Sequence, residues 1–300
     1  MCLIKFRKKY PEYNDISDEW FTWLIGFFEG DGSFILGAKN LGLIITQRED
    51  NKVVLEEIQK TLRIGRVEVQ TKHIVPGRYW IYRFIVEDYI GMSILLDLFK
   101  DNLILPIKIE KYNEFIERYN EKITRAKINR PTKFKNLIAL SKIDSKENPL
   151  LPSKNDSWLS GFIDAEGCFY SNIIFVNNRP RVRILFDICQ KEYSEKSIEK
   201  IFVHIKKNIF DNSGIVSEHS VKGIKCLRVI KGLENVYSYL DNHPLKTNKF
   251  FNYLFQKEIY MKFHNKDHLD EKKLRDMMLF IKIHKDKIGK KGMVLRKEVE

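Results

Sequence analysis

The apolar positions of this chain change period in an order that occurs twice. Trp23, Leu24, Phe27 and Phe28 fall three and four residues apart, the spacing of one helix face, and the run Ser157 to Phe169 repeats the arrangement. Each run gives way to a strand, a turn and a strand, over 33 to 48 and 168 to 190. Helical spacing then follows over Asn51 to Leu62 and Ser194 to Lys207. A second strand pair comes next in each half: Arg66 to Lys72 with Tyr79 to Glu87, and Ile215 to Val221 with Ile224 to Ile230. Turns are predicted at His73 to Arg78 and at Lys222-Gly223. Helices over Tyr89 to Lys100 and from near Lys108 close the first half, matched by Leu233 to Leu240 and a segment from near Lys246.

The repetition extends to the residues themselves. TWLIGFFEGDGSF at 22 to 34 is echoed by SWLSGFIDAEGCF at 157 to 169, and KIEKYNEF at 108 to 115 by KTNKFFNY at 246 to 253. The chain therefore reads as an α+β protein of two similar halves, 1–126 and 156–264. Between them, 127–155 has the Lys, Asn, Ser and Pro content of a linker. Residues 265–300 read as a helical extension, because Leu274, Met277, Met278, Ile281 and Ile283 recur at near-helical spacing.

Gly26 and Gly30 lie four apart on one helix face, and Gly161 and Ala165 take the same places in the second copy. Small residues there let two helix axes approach more closely than the usual 8–10 Å. Glycine inside a helix costs about 1 kcal/mol against alanine, so Gly26 and Gly30 in one helix, matched in register by Gly161 in the other, call for a packing reason. Each helix then stops at an acid followed by glycine, Asp31-Gly32 and Glu166-Gly167. The glycines fit a left-handed helix end. The acids do not fit, since a carboxylate in the last turn faces the negative end of the helix dipole. A bound cation reverses that sign, and two carboxylates brought together make a hard, oxygen-rich site suited to Mg²⁺.

Composition narrows the partners. With 53 basic against 40 acidic residues and a formal charge of +13, the surface favours a polyanion, because phosphate neutralisation releases counterions. No apolar run approaches the roughly 20 residues that span a bilayer, so a membrane partner is not expected. No targeting segment is visible. The Lys, Ile and Asn content suggests an A+T-rich coding sequence and a mitochondrial or other organellar origin. Cys2, Cys168, Cys189 and Cys226 are far apart with no CxxC pair, so no disulfide framework is expected and the compartment reads as reducing; Cys168 and Cys189 read as buried strand residues. His264 and His268 lack a third nearby ligand and read as exposed helix residues.

LIGFFEGDG at 24 to 32 and LSGFIDAEG at 159 to 167 resemble the signature of the LAGLIDADG homing endonuclease family, and the resemblance runs from about Trp20 to Lys262. It implies two pseudo-symmetric αββαββα units, packed through the signature helices, whose antiparallel sheets form a saddle over double-stranded DNA. It further implies a monomer that hydrolyses one phosphodiester on each strand, leaving 3′ overhangs. Mg²⁺ is the expected cofactor, with Mn²⁺ able to substitute and Ca²⁺ supporting binding without cleavage. The last acid of each signature, Asp31 and Glu166, carries the metal role, with Gly30 and Ala165 counted among the metal positions. Glu29 and Asp164 take structural or supporting roles. By position, Gln47 and Gln190 at the ends of the second strands and Lys108 and Lys246 opening the last helices are expected to order the water network. Lys111 and Lys249 repeat equally well, so the repeat alone does not choose between the lysine pairs.

Two-stranded ribbons fit the major groove, and Lys39, Asn40, Arg48, Lys72, Arg78, Asn172, Asn178, Arg179, Arg181, Arg183, Lys222 and Lys225 lie on or beside the predicted hairpins as candidate DNA contacts. A slip of one residue in register would exchange the faces. The first hairpin, ILGAKNLGLII, is short and aliphatic and offers fewer readers than the second. The rival functions are an RNA maturase acting on a host intron and a transcription regulator on the same fold. Intact Asp31 and Glu166 favour the nuclease.

Overall fold

The computed structural model describes residues 3–37, 40–70, 79–143, 150–192 and 197–294. A short helix α1 (Ile4–Lys9) leads into α2 (Asp18–Asp31), β1 (Gly32–Leu36), β2 (Leu41–Arg48), α3 (Lys52–Leu62), β3 (Arg66–Val69), β4 (Ile81–Val86), α4 (Tyr89–Lys100) and α5 (Pro106–Asn129). The one-turn α6 (Pro131–Phe134) leads towards α7 (Trp158–Glu166), β5 (Gly167–Val176), β6 (Arg179–Lys191), α8 (Ser197–Asn208), β7 (Ile215–Glu218), β8 (Ile224–Val229), α9 (Leu233–Asn242), α10 (Lys249–His264) and α11 (Glu271–Val294). The two halves share one topology: four-stranded antiparallel sheets ordered β1-β2-β4-β3 and β5-β6-β8-β7. The α+β expectation of two αββαββα units holds. None of the described helices is long and apolar enough to cross a membrane.

The register decides what each strand residue faces. Phe34 pairs with Leu43, and its ring meets Phe28, Phe99, Tyr112 and Phe115 of the covering helices. By the two-residue period, Leu43, Ile45 and Phe84 share that helix side, while Ser33, Thr46, Arg48, Arg66 and Arg83 point to the opposite, open face. In the second half Phe169 and Phe186 meet on the helix side, so Cys168, Asp187, Cys189, Cys226 and Arg228 occupy the open face. Cys189 and Cys226 are direct cross-strand partners and their sulfurs are bonded. Spacing in sequence could not reveal this pairing, because the bond joins residues brought opposite only by the β6–β8 register. Cys168 is exposed, not buried.

Within the segment read as a linker, residues 137–143 lie against α5. Asn120 bonds both backbone groups of Leu140, and Asn113 those of Ile143, while Leu137 and Leu140 are buried. At the other end α11 buries Met277 and Ile281 against the second half, whereas Met278 and Ile283 of the same predicted stripe are exposed.

The halves join through α2 and α7, both buried along most of their length. A Cβ built on Gly26 would lie 1.9 Å from the Trp158 carbonyl oxygen, and one on Gly161 would lie 1.9 Å from that of Trp23. The predicted close approach is thus backbone on backbone, and reciprocal. Lower down, a Cβ on Gly30 would fall 2.1 Å from that of Ala165. The helix-end glycines serve a different need from the one expected. Gly32 (φ −81°) and Gly167 (φ −72°) are extended, not left-handed, and a Cβ at either would strike the preceding turn, at the Phe28 ring and at Ile163. Gly26→Ala should lower stability by about 2–3 kcal/mol. Gly30→Ala should also destabilise, and Ala165→Gly should restore most of that loss, as read by urea midpoints; a double variant no more stable than Gly30→Ala would refute the steric account.

Candidate active site

Ser17 opens α2 by accepting the N–H of Trp20, and the helix ends at Asp31, with Gly32 already the first residue of β1. In the other half α7 ends at Glu166 and β5 begins at Gly167. Because the helices touch at Gly30 and Ala165, the carboxylates one residue on are brought side by side: the Glu166 Cγ lies 3.3 Å from where a Gly30 Cβ would be. Burial raises the Asp31 pKa from its ordinary value to about 6, and burial together with the charge of Asp31 raises that of Glu166.

Two lysines sit beside the pair. Lys108 Nζ donates to the Gly32 carbonyl, and Lys249 Nζ donates to the Ala165 carbonyl at 2.6 Å. Both are pulled below the usual lysine range by burial, against the attraction of the acids. Lys249 thus occupies the place expected for Lys246, whose Nζ instead pairs with Glu57 at 3.2 Å. The reason is an offset in the backbone. Glu29 accepts the N–H groups of Ile104 and Leu105, and Asp164 accepts those of Lys246 and Thr247. Lys108 follows its anchor by three residues, whereas Lys249 follows Thr247 by two. It is the backbone of Lys246, not its side chain, that serves the motif.

The remaining motif acids cross-link the halves. Glu29 also accepts the indole N–H of Trp158 at 2.6 Å, and Asp164 that of Trp23 at 2.8 Å, so each acid holds its own closing helix and the opposite signature helix. Burial pushes the Glu29 carboxyl up to about 7, although its donors oppose the shift.

Gln47 donates to Asp31, as a residue ordering the site would. Gln190 has no such contact. Its Oε1 accepts the N–H of Lys191, and it lies across the sheet from Lys225. Gly30 and Ala165 stand in the helix contact, the latter with its carbonyl turned to Lys249.

Arg179, Arg181 and Arg183 alternate onto the open face and are exposed. Arg48 shares the equivalent face of the first sheet, paired with Asp50 and lying over the Tyr79 ring at 4.1 Å. Asn178 is in the β5–β6 turn with φ 58°, and Asn40 and Lys222 are exposed. Asn172 receives a hydrogen bond from Lys285 of α11. Lys225 departs from expectation. It alternates with buried Leu227 and Val229 on the helix side and pairs with Glu199 of α8. Lys39, Lys72 and Arg78 lie outside the described residues. Sequence reading missed Arg66, Arg83 and Arg228 on the open faces, which the alternation within β3, β4 and β8 would have exposed had the register been known. His268 stacks on Phe263 and His264 meets the same ring edge-on, and among the described residues no group of three or more His, Cys, Asp or Glu could hold a metal.

The donor set fits a hard divalent cation: two carboxylate groups at two negative helix ends, with burial penalising their charge until a cation joins them. A carboxyl whose folded pKa lies above its unfolded one loses stability as pH rises through the folded value. In metal-free protein Asp31→Asn should therefore stabilise at pH 7.5, by up to about 3 kcal/mol, and the gain should vanish below about pH 4. Urea unfolding in a chelator at both pH values tests this; an equal gain at both would contradict it.

The model of the LAGLIDADG endonuclease family matches residues 24–119 and 159–260. A "Probable intron-encoded endonuclease 4" of Neurospora crassa is 30% identical over 282 residues, 92% of this chain and 45% of that one. An "Uncharacterized mitochondrial protein RF1" of Saccharomyces cerevisiae is 24% identical over 216 residues, 68% of this chain and 42% of that one. The chain thus spans less than half the length of either relative. Among solved structures, I-SmaMI bound to uncleaved DNA target in the presence of calcium ions matches with a TM-score of 0.67 at 15% identity, over 87% of this chain and 97% of that one. The family model falls on both halves, and each half repeats the same helix contact and terminal acid: the chain belongs to the LAGLIDADG endonuclease family.

Proposed function

We propose that the chain is a site-specific endonuclease that cuts both strands of a long double-stranded DNA target with Mg²⁺ and leaves 3′ overhangs. The observation that carries the reading is the juxtaposition of Asp31 and Glu166 at the ends of two helices packed backbone to backbone, with Lys108 and Lys249 beside them. A DNA duplex lies against the open faces, where the exposed arginines of β6 neutralise phosphate or read base edges. I-SmaMI, of similar fold, is itself a DNA-bound protein.

Asp31 and Glu166 would hold the divalent metal, which when bound would supply a water of lowered pKa and neutralise charge on the leaving 3′ oxygen. Gln47 fixes the rotation of the Asp31 carboxylate through its amide N–H. Lys108 and Lys249, tied to carbonyls at the helix ends, keep positive charge beside the scissile phosphates as negative charge builds in the transition state. Little else is required of the protein, since positioning and electrostatics carry most of the catalysis of phosphoryl transfer. The mitochondrial relative supports an organellar origin. The paired acids favour cleavage over a purely RNA-binding role.

The defining experiment is cleavage of a randomised duplex library with Mg²⁺ and with Ca²⁺, followed by sequencing of cut ends. Cuts at one site with Mg²⁺ alone are expected, and no cuts from folded protein would reject the reading. On the selected target, Asp31→Asn and Glu166→Gln should each abolish detectable cleavage while affinity in Ca²⁺-free buffer stays within about tenfold, because carboxylates without metal repel phosphate. Parallel loss of binding and cleavage would remove the acids from the metal role.

A further inference from the structure

The hydrogen bond that Gln47 gives to Asp31 is one end of a longer chain. Gln47 Oε1 accepts from Asn51 Nδ2 at 3.0 Å, and Asn51 Oδ1 accepts from the backbone N–H of Asn248 at 2.9 Å. Asn248 Nδ2 donates to the carbonyl of Asp50. Asn248 belongs to the second half and directly precedes Lys249, the lysine held at the Ala165 carbonyl. The chain therefore starts at one metal-binding acid, crosses the interface, and ends on the helix that carries a lysine of the site. Its polarity is determined throughout. Gln47 spends its NH₂ group on the carboxylate, so its oxygen must meet a donor; Asn51 supplies one, and its own oxygen is left for a backbone N–H.

Glu166 has no counterpart among the described residues. No side chain there donates a hydrogen bond to it, and Gln190 is turned to the backbone of Lys191. One acid is thus held in rotation by a relay anchored in both halves, and the other is not. A carboxylate already oriented loses less freedom when it takes up its working geometry than one that must be ordered at that moment.

We propose that Asn51 and Asn248 are positioning residues for Asp31 and that their relay makes the two catalytic centres unequal, so that the two DNA strands are cut in a fixed order. The inference rests on the nuclease reading above. Two variants separate positioning from simple tethering. Asn51→Ala removes the relay, whereas Asn51→Asp keeps the acceptor for the Asn248 N–H but cannot donate to Gln47. A third, Asn248→Ala, keeps the backbone donor and removes only the link to Asp50.

The test uses the full chain with Mg²⁺ on the selected duplex, each strand carrying a different fluorophore, so that the two nicking rates are read separately. The wild type should nick one strand ahead of the other. Asn51→Ala and Asn51→Asp should slow one strand by about tenfold or more and leave the other within about threefold, with thermal midpoint and affinity in Ca²⁺ unchanged. Asn248→Ala should slow the same strand by less. Equal slowing of both strands, or an Asn51→Asp variant that cuts like the wild type, would overturn the proposal. A wild type that cuts neither strand would instead remove the nuclease reading, and this inference with it.

Discussion

The structure depends on two carbonyl groups pressed against two glycines. The oxygen of Trp158 occupies the space where a side chain at Gly26 would be, and that of Trp23 does the same at Gly161. No other residue allows helices α2 and α7 to meet at that depth, and the indoles of the same tryptophans reach across to Asp164 and Glu29. Those carboxylates hold the starts of the closing helices, on which the site lysines ride. One contact thus fixes the helix pair, the helix pair brings the terminal acids together, and the buried acids locate the lysines.

The electrostatics of this arrangement are unfavourable by design of the backbone. Two acids sit at negative helix ends, partly out of water and beside each other, and both are pushed towards their neutral forms. Burial also disfavours the charge on the two lysines, but the attraction of the acids opposes that shift, and their positive charge offsets part of that of the carboxylates. Such a cluster costs stability, and a concentration of perturbed groups of this kind is a feature of functional sites.

Much of this is legible in the sequence because it rests on repetition. The doubled run with small residues four apart gives the interface, and the doubled acid-glycine step gives the site. What was not legible depends on small offsets along the backbone. Lys249 replaces Lys246 because the amides that bind Asp164 are those of Lys246 and Thr247 themselves, so the lysine beside the acids comes two residues after its anchor where Lys108 comes three after Leu105. Lys225 faces a helix while Arg228 faces outward, a distinction set by strand register. The Cys189–Cys226 bond likewise follows from register, being invisible in spacing. Gly32 and Gly167 were correctly singled out, but for the wrong reason: the turn behind them leaves no room, and their dihedral angles are ordinary.

Asp31 closes α2 and Gly32 opens β1 with no residue between them, and Glu166 and Gly167 do the same in the other half. A loop at that junction would let strand and helix be placed independently; without one, the direction of each first strand is set by the same backbone that ends its helix. The separation of the two sheets is therefore a property of the helix pair: whatever forced α2 and α7 apart at Gly26 and Gly161 would widen the gap between the sheets along with that between the acids.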